Sequence, residues 1–418
     1  METHNYYRVV RSVSMLSGGV SQSGPFLASH FILTNSGGEE SRVSDFYPLM
    51  HKMQEDSKFK WKDPPENPNL PLRVGMQNRL RVLAYCHHEA IADAAVKFGT
   101  IPSAWARSLE NGAPCPSWEI TTRIAMVVDI NVLKLDVVLP TFSYSLGLSN
   151  KDPITIYILT VGLTESQQCL IRYIMRQPLH PDSKVYTVSA DTEIIAFKAH
   201  YKGLGHISVA TMARLALPQL LPCVSKLIWL DVDTLVVSDL QYLWEIEPST
   251  PCGIAGRTSF SPYTSRYTRP AELRKKVQKD FKNISNSKES EKGKADGFNA
   301  GVLVVNLEKW RTAKFRSLVN QVALEYGNDD QVTLNHFCYG NFTMLPARWN
   351  LFYRAGFADG SVDPALQEYE FEKWGIVHWT SGEKPWSKRR WKGKFDKRLK
   401  TLWEQMNTTT ASALSRPL

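Results

Sequence analysis

The segment Lys226-Leu227-Ile228-Trp229-Leu230-Asp231-Val232-Asp233 constrains this chain more than any other stretch. A short run of bulky apolar residues reads as a buried strand. It ends in two aspartates two residues apart. In extended backbone such residues point to the same side, so strand geometry carried through to Asp233 places both carboxylates at one spot on the sheet's carboxyl edge. Open α/β sheets bind ligands at that edge. Two hard oxygen ligands suit Mg²⁺ or Mn²⁺, and such an ion can hold a diphosphate in turn. The plainer reading of an isolated D-x-D is a strand ending in solvated, turn-forming acids.

The remaining 185 residues after Asp233 and the 225 before the strand leave room for one large domain with a smaller piece, or for two domains. The formal charge of +9 is concentrated near the C-terminus: Glu383 to Lys400 carries nine Lys or Arg against two acids. A run of this kind is usually a solvated surface, so no nucleic-acid partner is expected. The six cysteines Cys86, Cys115, Cys169, Cys223, Cys252 and Cys338 are scattered with no C-x-x-C, which suggests neither a zinc site nor a disulfide framework. No 20-residue apolar span and no leader-type apolar segment is present. Sequons at Asn283, Asn341 and Asn407 are too short a pattern to assign a secretory route.

Residues 1–118 read as an N-terminal extension that is partly helical. Within it, Asp63 to Pro68 is a Pro-rich loop and Gln77 to Gly99 has the apolar spacing of a helix. The Cys86-His87-His88-Glu89 cluster there lacks the second histidine of a zinc-protease helix, because position 92 is Ala. From Arg123 the rhythm changes. Strands are expected at Ile124–Val128, Ile154–Val161, Lys184–Val188, Cys252–Ala255, Val302–Asn306 and Trp374–Trp379. Helices are expected from Asp136, Glu165 and Ser208, and again at Leu240–Trp244, Glu308–Glu325 and from Asp330. This alternation implies an α/β domain, 119–400, with a mostly parallel mixed sheet flanked by helices, followed by a tail, 401–418. The polar stretch between Arg257 and Gly297 interrupts it and reads as an excursion beside the site.

Five motifs in order then resemble glycosyltransferase family 8: His206-Ile207-Ser208 with Arg214 on the next helix, the Asp231-Val232-Asp233 segment, Gly297-Phe298-Asn299-Ala300-Gly301 running on to Trp310, Asp330-Gln331, and His378 followed by Lys384-Pro385-Trp386. The resemblance spans about Arg123 to Trp386. It implies the GT-A fold and a retaining, Mn²⁺-dependent transferase, with Mg²⁺ as the alternative, that moves a hexosyl or pentosyl group from a UDP-sugar to a glycan or other hydroxyl acceptor. By the same resemblance Asp231, Asp233 and His378 ligate the metal. Asp129, Asn131, Arg214, Asp231, Val232, Asp233, Asn299, Ala300, Gly301, Gly382 and Lys384 bind the donor, and His206 lines the acceptor side. Gln331 and Asp330 act at the sugar. An amide is a poor nucleophile, so a front-face route is favoured over a double displacement, which would need a carboxylate. Two departures stand out. Val132 replaces the family's usual base-stacking aromatic, and Ser381 takes the place of the glycine three residues after the histidine.

Two rivals belong to other classes. Asp231-Val232-Asp233-Thr234 superficially matches a haloacid-dehalogenase phosphohydrolase, without the usual Gly before Thr. An inactive sugar-nucleotide-binding protein would keep the fold without turnover. The sequence leaves open the sugar, the acceptor, the linkage, the oligomeric state and the compartment, where a Golgi lumen or a cytoplasmic location both fit.

Overall fold

A computed structural model describes residues 8–9, 32–34, 40–42, 121–133, 137–200, 208–258, 297–325, 329–338, 340–352, 363, 365–380, 384–386 and 397–415. The expected helix at 77–99, with its Cys86–Glu89 cluster, and the excursion between Arg257 and Gly297 lie outside the described residues, save positions 257, 258 and 297. Two compact units divide the chain at Asn69 and Leu70. In the first, β1 (Arg8–Val9), β2 (Ile32–Thr34) and β3 (Glu40–Arg42) form a small antiparallel sheet in that order.

The second unit is built on a seven-stranded sheet. Its strands are β4 (Thr122–Asp129), β5 (Ile154–Val161), β6 (Lys184–Ser189), β7 (Lys226–Leu230), β9 (Ile254–Thr258), β10 (Phe298–Asn306) and β11 (Thr343–Met344), in the order β11-β9-β10-β7-β4-β5-β6. The block β7-β4-β5-β6 is parallel, whereas β10 runs antiparallel to both β7 and β9. All eight residues of β5 are buried, as expected for a parallel strand covered on both faces. Side chains alternate between two apolar cores. Ala125, Tyr157, Trp229 and Leu303 pack in one. Ile124, Met126, Ile156, Ile228 and Val302 pack in the other.

The covering helices begin with α1 (Val138–Ser149), α2 (Glu165–Arg176) and α3 (Asp191–His200). Thr164 opens α2 with a capping box, its hydroxyl accepting from Gln167 N while the Gln167 side chain accepts from Thr164 N. The sequence reading gave no helix at 191–200. The segment from Ser208, read as a single helix, is a 3₁₀ helix at Val209–Ala216 followed by one α turn at Leu217–Leu220, where Pro218 sits in the first turn. The segment read as one helix over 308–325 is three short pieces: Leu307–Trp310, Ala313–Val319 and a π turn at Asn320–Glu325. Helix α4 (Asp330–Cys338) follows. Beside the main sheet, β8 (Thr234–Val236), β12 (Leu351–Phe352) and β13 (Ile376–His378) form a three-stranded sheet in the order β12-β13-β8. The last helix, α5 (Lys397–Ser415), buries Leu399, Leu402 and Trp403 against Trp379 and Trp386.

The cysteines correct the sequence reading. Cys252 and Cys338 are disulfide-bonded to each other across 86 residues, and Cys169 and Cys223 each take part in a disulfide. Short-range spacing gives no sign of such bonds, because the partners are brought together by packing of sheet and helix. Among the described residues no helix is long and apolar enough to cross a membrane.

Candidate active site

The first carboxylate is fixed by its strand. Trp229 lies on β7 and Asp231 just past its end, and the Trp229 indole N–H donates to Asp231 Oδ1 at 2.9 Å. The same oxygen takes Arg214 Nη2 at 2.7 Å. Among the described residues Oδ2 takes no hydrogen bond, which leaves it as a ligand atom. The strand geometry expected to run on to Asp233 does not do so. The strand ends at Leu230, and residues 231–234 form a tight turn in which Thr234 N and Oγ1 donate to Asp231 O at 3.2 and 2.8 Å. The turn leads into β8, whose antiparallel register on β13 sets Thr234 opposite His378. Trp379 N then donates to Asp233 O at 3.0 Å. This pairing, rather than the i, i+2 rule, brings the histidine to the acids.

The result is a three-residue set whose ligand atoms, one each from Asp231, Asp233 and His378, all lie within 4.8 Å of one another. His378 Nε2 is 3.3 Å from Asp233 Oδ1. Lys384 Nζ donates to Asp233 Oδ2 and to Trp379 O. Burial pushes the Asp233 carboxyl up, but the Lys384 ammonium and the His378 imidazole outweigh it and hold the group far below the usual carboxylate range. Two carboxylates and one imidazole form a donor set that fits a borderline to hard divalent ion such as Mn²⁺. Gly301 makes this possible on its side. A Cβ there would fall 2.1 Å from His378 Cε1, so the ring lies directly on the glycine backbone.

Arg214 is buried, at 2% exposure. Its guanidinium donates to Ala300 O at 2.5 Å and to Asp231, Nε lies 2.7 Å from Asp330 Oδ2, and the group stacks 4.6 Å from the Trp229 ring centroid. One cation therefore joins the metal corner to α4. Burial raises the Asp330 carboxyl to about 6; Arg214 opposes the rise, and Asp329 and Asp231 add to it.

Helix α4 grips β10 through two amides one turn apart. Asn335 accepts from Phe298 N at 2.8 Å and donates to Phe298 O at 2.9 Å. Gln331 Oε1 accepts from Ala300 N at 3.0 Å and from Asn299 Nδ2 at 3.3 Å. These contacts coincide with the register break in the β10–β9 pairing between Phe298 and Leu303. Asn299, Ala300, Gly301, Gln331, Asp330, Arg214, Asp231, Asp233, His378 and Lys384 thus belong to one connected polar cluster. Val232 stands between the two acids and packs on the core. Asp129 and Asn131 lie at the end of β4. There Asp129 Oδ1 accepts from Asn131 N and Val132 N, both at 3.0 Å, and Oδ2 accepts from Asn131 Nδ2 and from Ser208 Oγ at 2.7 Å. Ser208 also caps the 3₁₀ helix that carries Arg214, which links this corner to the rest. His206 and Gly382 lie outside the described residues. Trp229 and Asn350 were not singled out in the sequence. Trp229 could have been found, two residues before Asp231 on a strand, but no local pattern marks Asn350.

A family model for glycosyl transferase family 8 matches residues 139–390. The chain belongs to glycosyl transferase family 8. A Haemophilus influenzae protein that carries a glycosyltransferase name is 32% identical over 159 residues, which is 37% of this chain and 42% of that protein. General stress protein A of Bacillus subtilis is 25% identical over 44% of this chain and 60% of its own length. The chain spans about half the length of the curated relatives it matches. An active-site variant of the enzyme LgtC, solved by crystallography, superposes with a TM-score of 0.50 at 20% identity, covering 71% of this chain and 98% of that one. The family 8 chain therefore has the GT-A fold that its mixed sheet and flanking helices suggested.

Proposed function

We propose that this family 8 chain is a retaining glycosyltransferase that takes a sugar from a UDP-sugar and passes it to a hydroxyl acceptor with Mn²⁺ bound by Asp231, Asp233 and His378. The observation that carries the reading is the convergence of those three ligand atoms within 4.8 Å beside Lys384 and Gln331. The bound ion would offset charge on the departing diphosphate. Lys384, already against Asp233, supplies a second positive charge that can turn to the same phosphates.

The amide of Gln331 supports a front-face route. Its oxygen is taken up by Ala300 N and Asn299 Nδ2, so the group presents its NH₂ rather than a nucleophilic oxygen. Asp330 is paired with Arg214, which suits it to accept hydrogen bonds from sugar hydroxyls. In the transfer, the bond from the anomeric carbon to the diphosphate oxygen breaks and the bond to the acceptor oxygen forms on the same face. The acceptor proton passes to the departing diphosphate. Asp129 holds the turn at the base-binding edge, where Val132 offers an apolar surface in place of a ring. The disulfides fit an oxidising compartment.

A panel of UDP-sugars with Mn²⁺, scored for UDP release and for the anomeric configuration of the product, tests the reading. One donor should be cleaved with retention, and Asp233→Asn should abolish release. Phosphate release from phosphomonoesters alone would move the assignment to a phosphohydrolase, and donor binding without cleavage would make the chain a binding protein.

A further inference from the structure

We propose that Asn350 is a positioning residue that fixes the proton of His378 on Nδ1 and so presents Nε2 as the ligating atom. The inference rests on the reading of Asp231, Asp233 and His378 as a metal site and adds the device that keeps the third ligand ready.

Two backbone groups in this corner can only donate. Ala300 N donates to Gln331 Oε1 at 3.0 Å, and Gly301 N donates to Asn299 Oδ1 at 2.9 Å. These bonds settle which end of each side-chain amide is the oxygen. Asn299 Nδ2 then faces Gln331 Oε1 at 3.3 Å, which is consistent donor to acceptor. Asn350 lies 3.0 Å from Asn299 Oδ1, so the atom there must be Nδ2. The reverse orientation would set two carbonyl oxygens against each other. Asn350 Oδ1 is therefore the atom 2.9 Å from His378 Nδ1, and an acceptor there requires a proton on Nδ1. In the neutral ring Nε2 keeps its lone pair on the side of Asp233 Oδ1, 3.3 Å away. A hydrogen bond to the second ring nitrogen is how proteins commonly orient a ligating histidine.

Asn350 itself has no freedom. It is fully buried, and its carbonyl accepts from Arg257 Nη1 at 2.6 Å. The His378 ring cannot swing away from it, since it rests on Gly301. The polar chain Gln331–Asn299–Asn350–His378 thus carries orientation from two main-chain N–H groups to the metal corner, and joins the candidate sugar-side amide to the candidate ligand.

The first test needs no variant. ¹⁵N spectra of histidine-labelled, metal-free protein, recorded above the ring's titration, report the tautomer of His378, which is identified among the ten histidines by the signal lost in His378→Gln. A protonated Nδ1 is expected; a proton on Nε2, or an even mixture, overturns the proposal. The second test is Mn²⁺ affinity with UDP present, from the EPR signal of the free ion. Asn350→Ala should weaken it about 10- to 100-fold. If His378→Ala sharply weakens Mn²⁺ binding and Asn350→Ala does not, the positioning role is wrong. If His378→Ala leaves binding unchanged, the metal-site reading fails instead and takes this proposal with it.

Discussion

Two buried arginines in this protein make nearly the same contacts to opposite ends. Arg257, at the end of β9, stacks 4.4 Å from the Phe352 ring centroid and donates to Asn350 O, much as Arg214 stacks on Trp229 and donates to Ala300 O. Among the described residues Arg257 meets one carboxylate, and meets it with both prongs: Nη1 and Nη2 reach the two oxygens of Asp363 at 2.5 and 2.7 Å. Asp363 also accepts from Phe352 N and Ala365 N. Among the described residues the pair sets one cation against one carboxylate, and both oxygens of Asp363 accept hydrogen bonds. Arg214 is shared between Asp231 and Asp330, with Asp233 close by. Its cluster holds more carboxylates than it has cations to match. A closed pair fastens a fold, whereas an unbalanced group of acids at a sheet edge is prepared for a positive visitor.

The largest effect should come from opening the closed pair. Arg257→Met leaves Asp363 buried and uncompensated, which costs about 3–5 kcal/mol and should show as a large fall in the thermal midpoint or as loss of soluble protein. Adding Asp363→Asn removes the stranded charge and keeps an acceptor for Phe352 N or Ala365 N. The double variant should regain about 1–3 kcal/mol, the range given for hydrogen bonds left unmade. A double variant no more stable than Arg257→Met would mean that the charge is not what makes the loss large.

Arg214→Lys should behave in the opposite way. An ammonium can serve one carboxylate at a time and has no fork for the carbonyl of Ala300. We expect UDP release to fall about 100-fold, roughly 2.7 kcal/mol at the barrier, while the thermal midpoint drops less than for Arg257→Met. A lysine variant that loses stability heavily and keeps its rate would erase the distinction between the two clusters.

What could be read from the chain follows the same division. The strands of the sheet were legible because a parallel sheet buries near-continuous apolar runs such as Ile154–Val161, observed with the expected limits. The acids and His378 were legible through a family resemblance, but the way they meet was not. Sequence shows Asp231 and Asp233 as neighbours on a strand; the structure has them in a turn, with His378 delivered by the β8–β13 register. The burial of Arg214, the Asp363 clasp and the Asn350 contact depend on pairings between distant segments, for which residue order carries no period. The helix at Asp191–His200 was missed for a related reason: its apolar residues Ile194, Ile195 and Phe197 do not form a single stripe, and Ile195 is exposed. The disulfides were missed because cysteine spacing along the chain says little about distance across a fold.

The smallest and most specific effect concerns the pH dependence contributed by Asp330. Its folded-state value of about 6 lies above the ordinary value of 3.8, chiefly because of burial. Between these values the native protein holds a proton that the unfolded chain releases, so this group's favourable contribution is complete below about 4 and is lost as pH rises through about 6. Asp330→Asn cannot ionise, and Arg214 keeps Asp231 as a partner. Measured against wild type by denaturant melts from pH 4 to 8, the variant should therefore gain relative stability as pH rises to about 6 and level off above that. A difference that is flat across this window would show that Arg214 cancels the burial of Asp330 completely. The site cluster would then be as well balanced as the Arg257 clasp, and the contrast between the two arginines would rest on geometry alone.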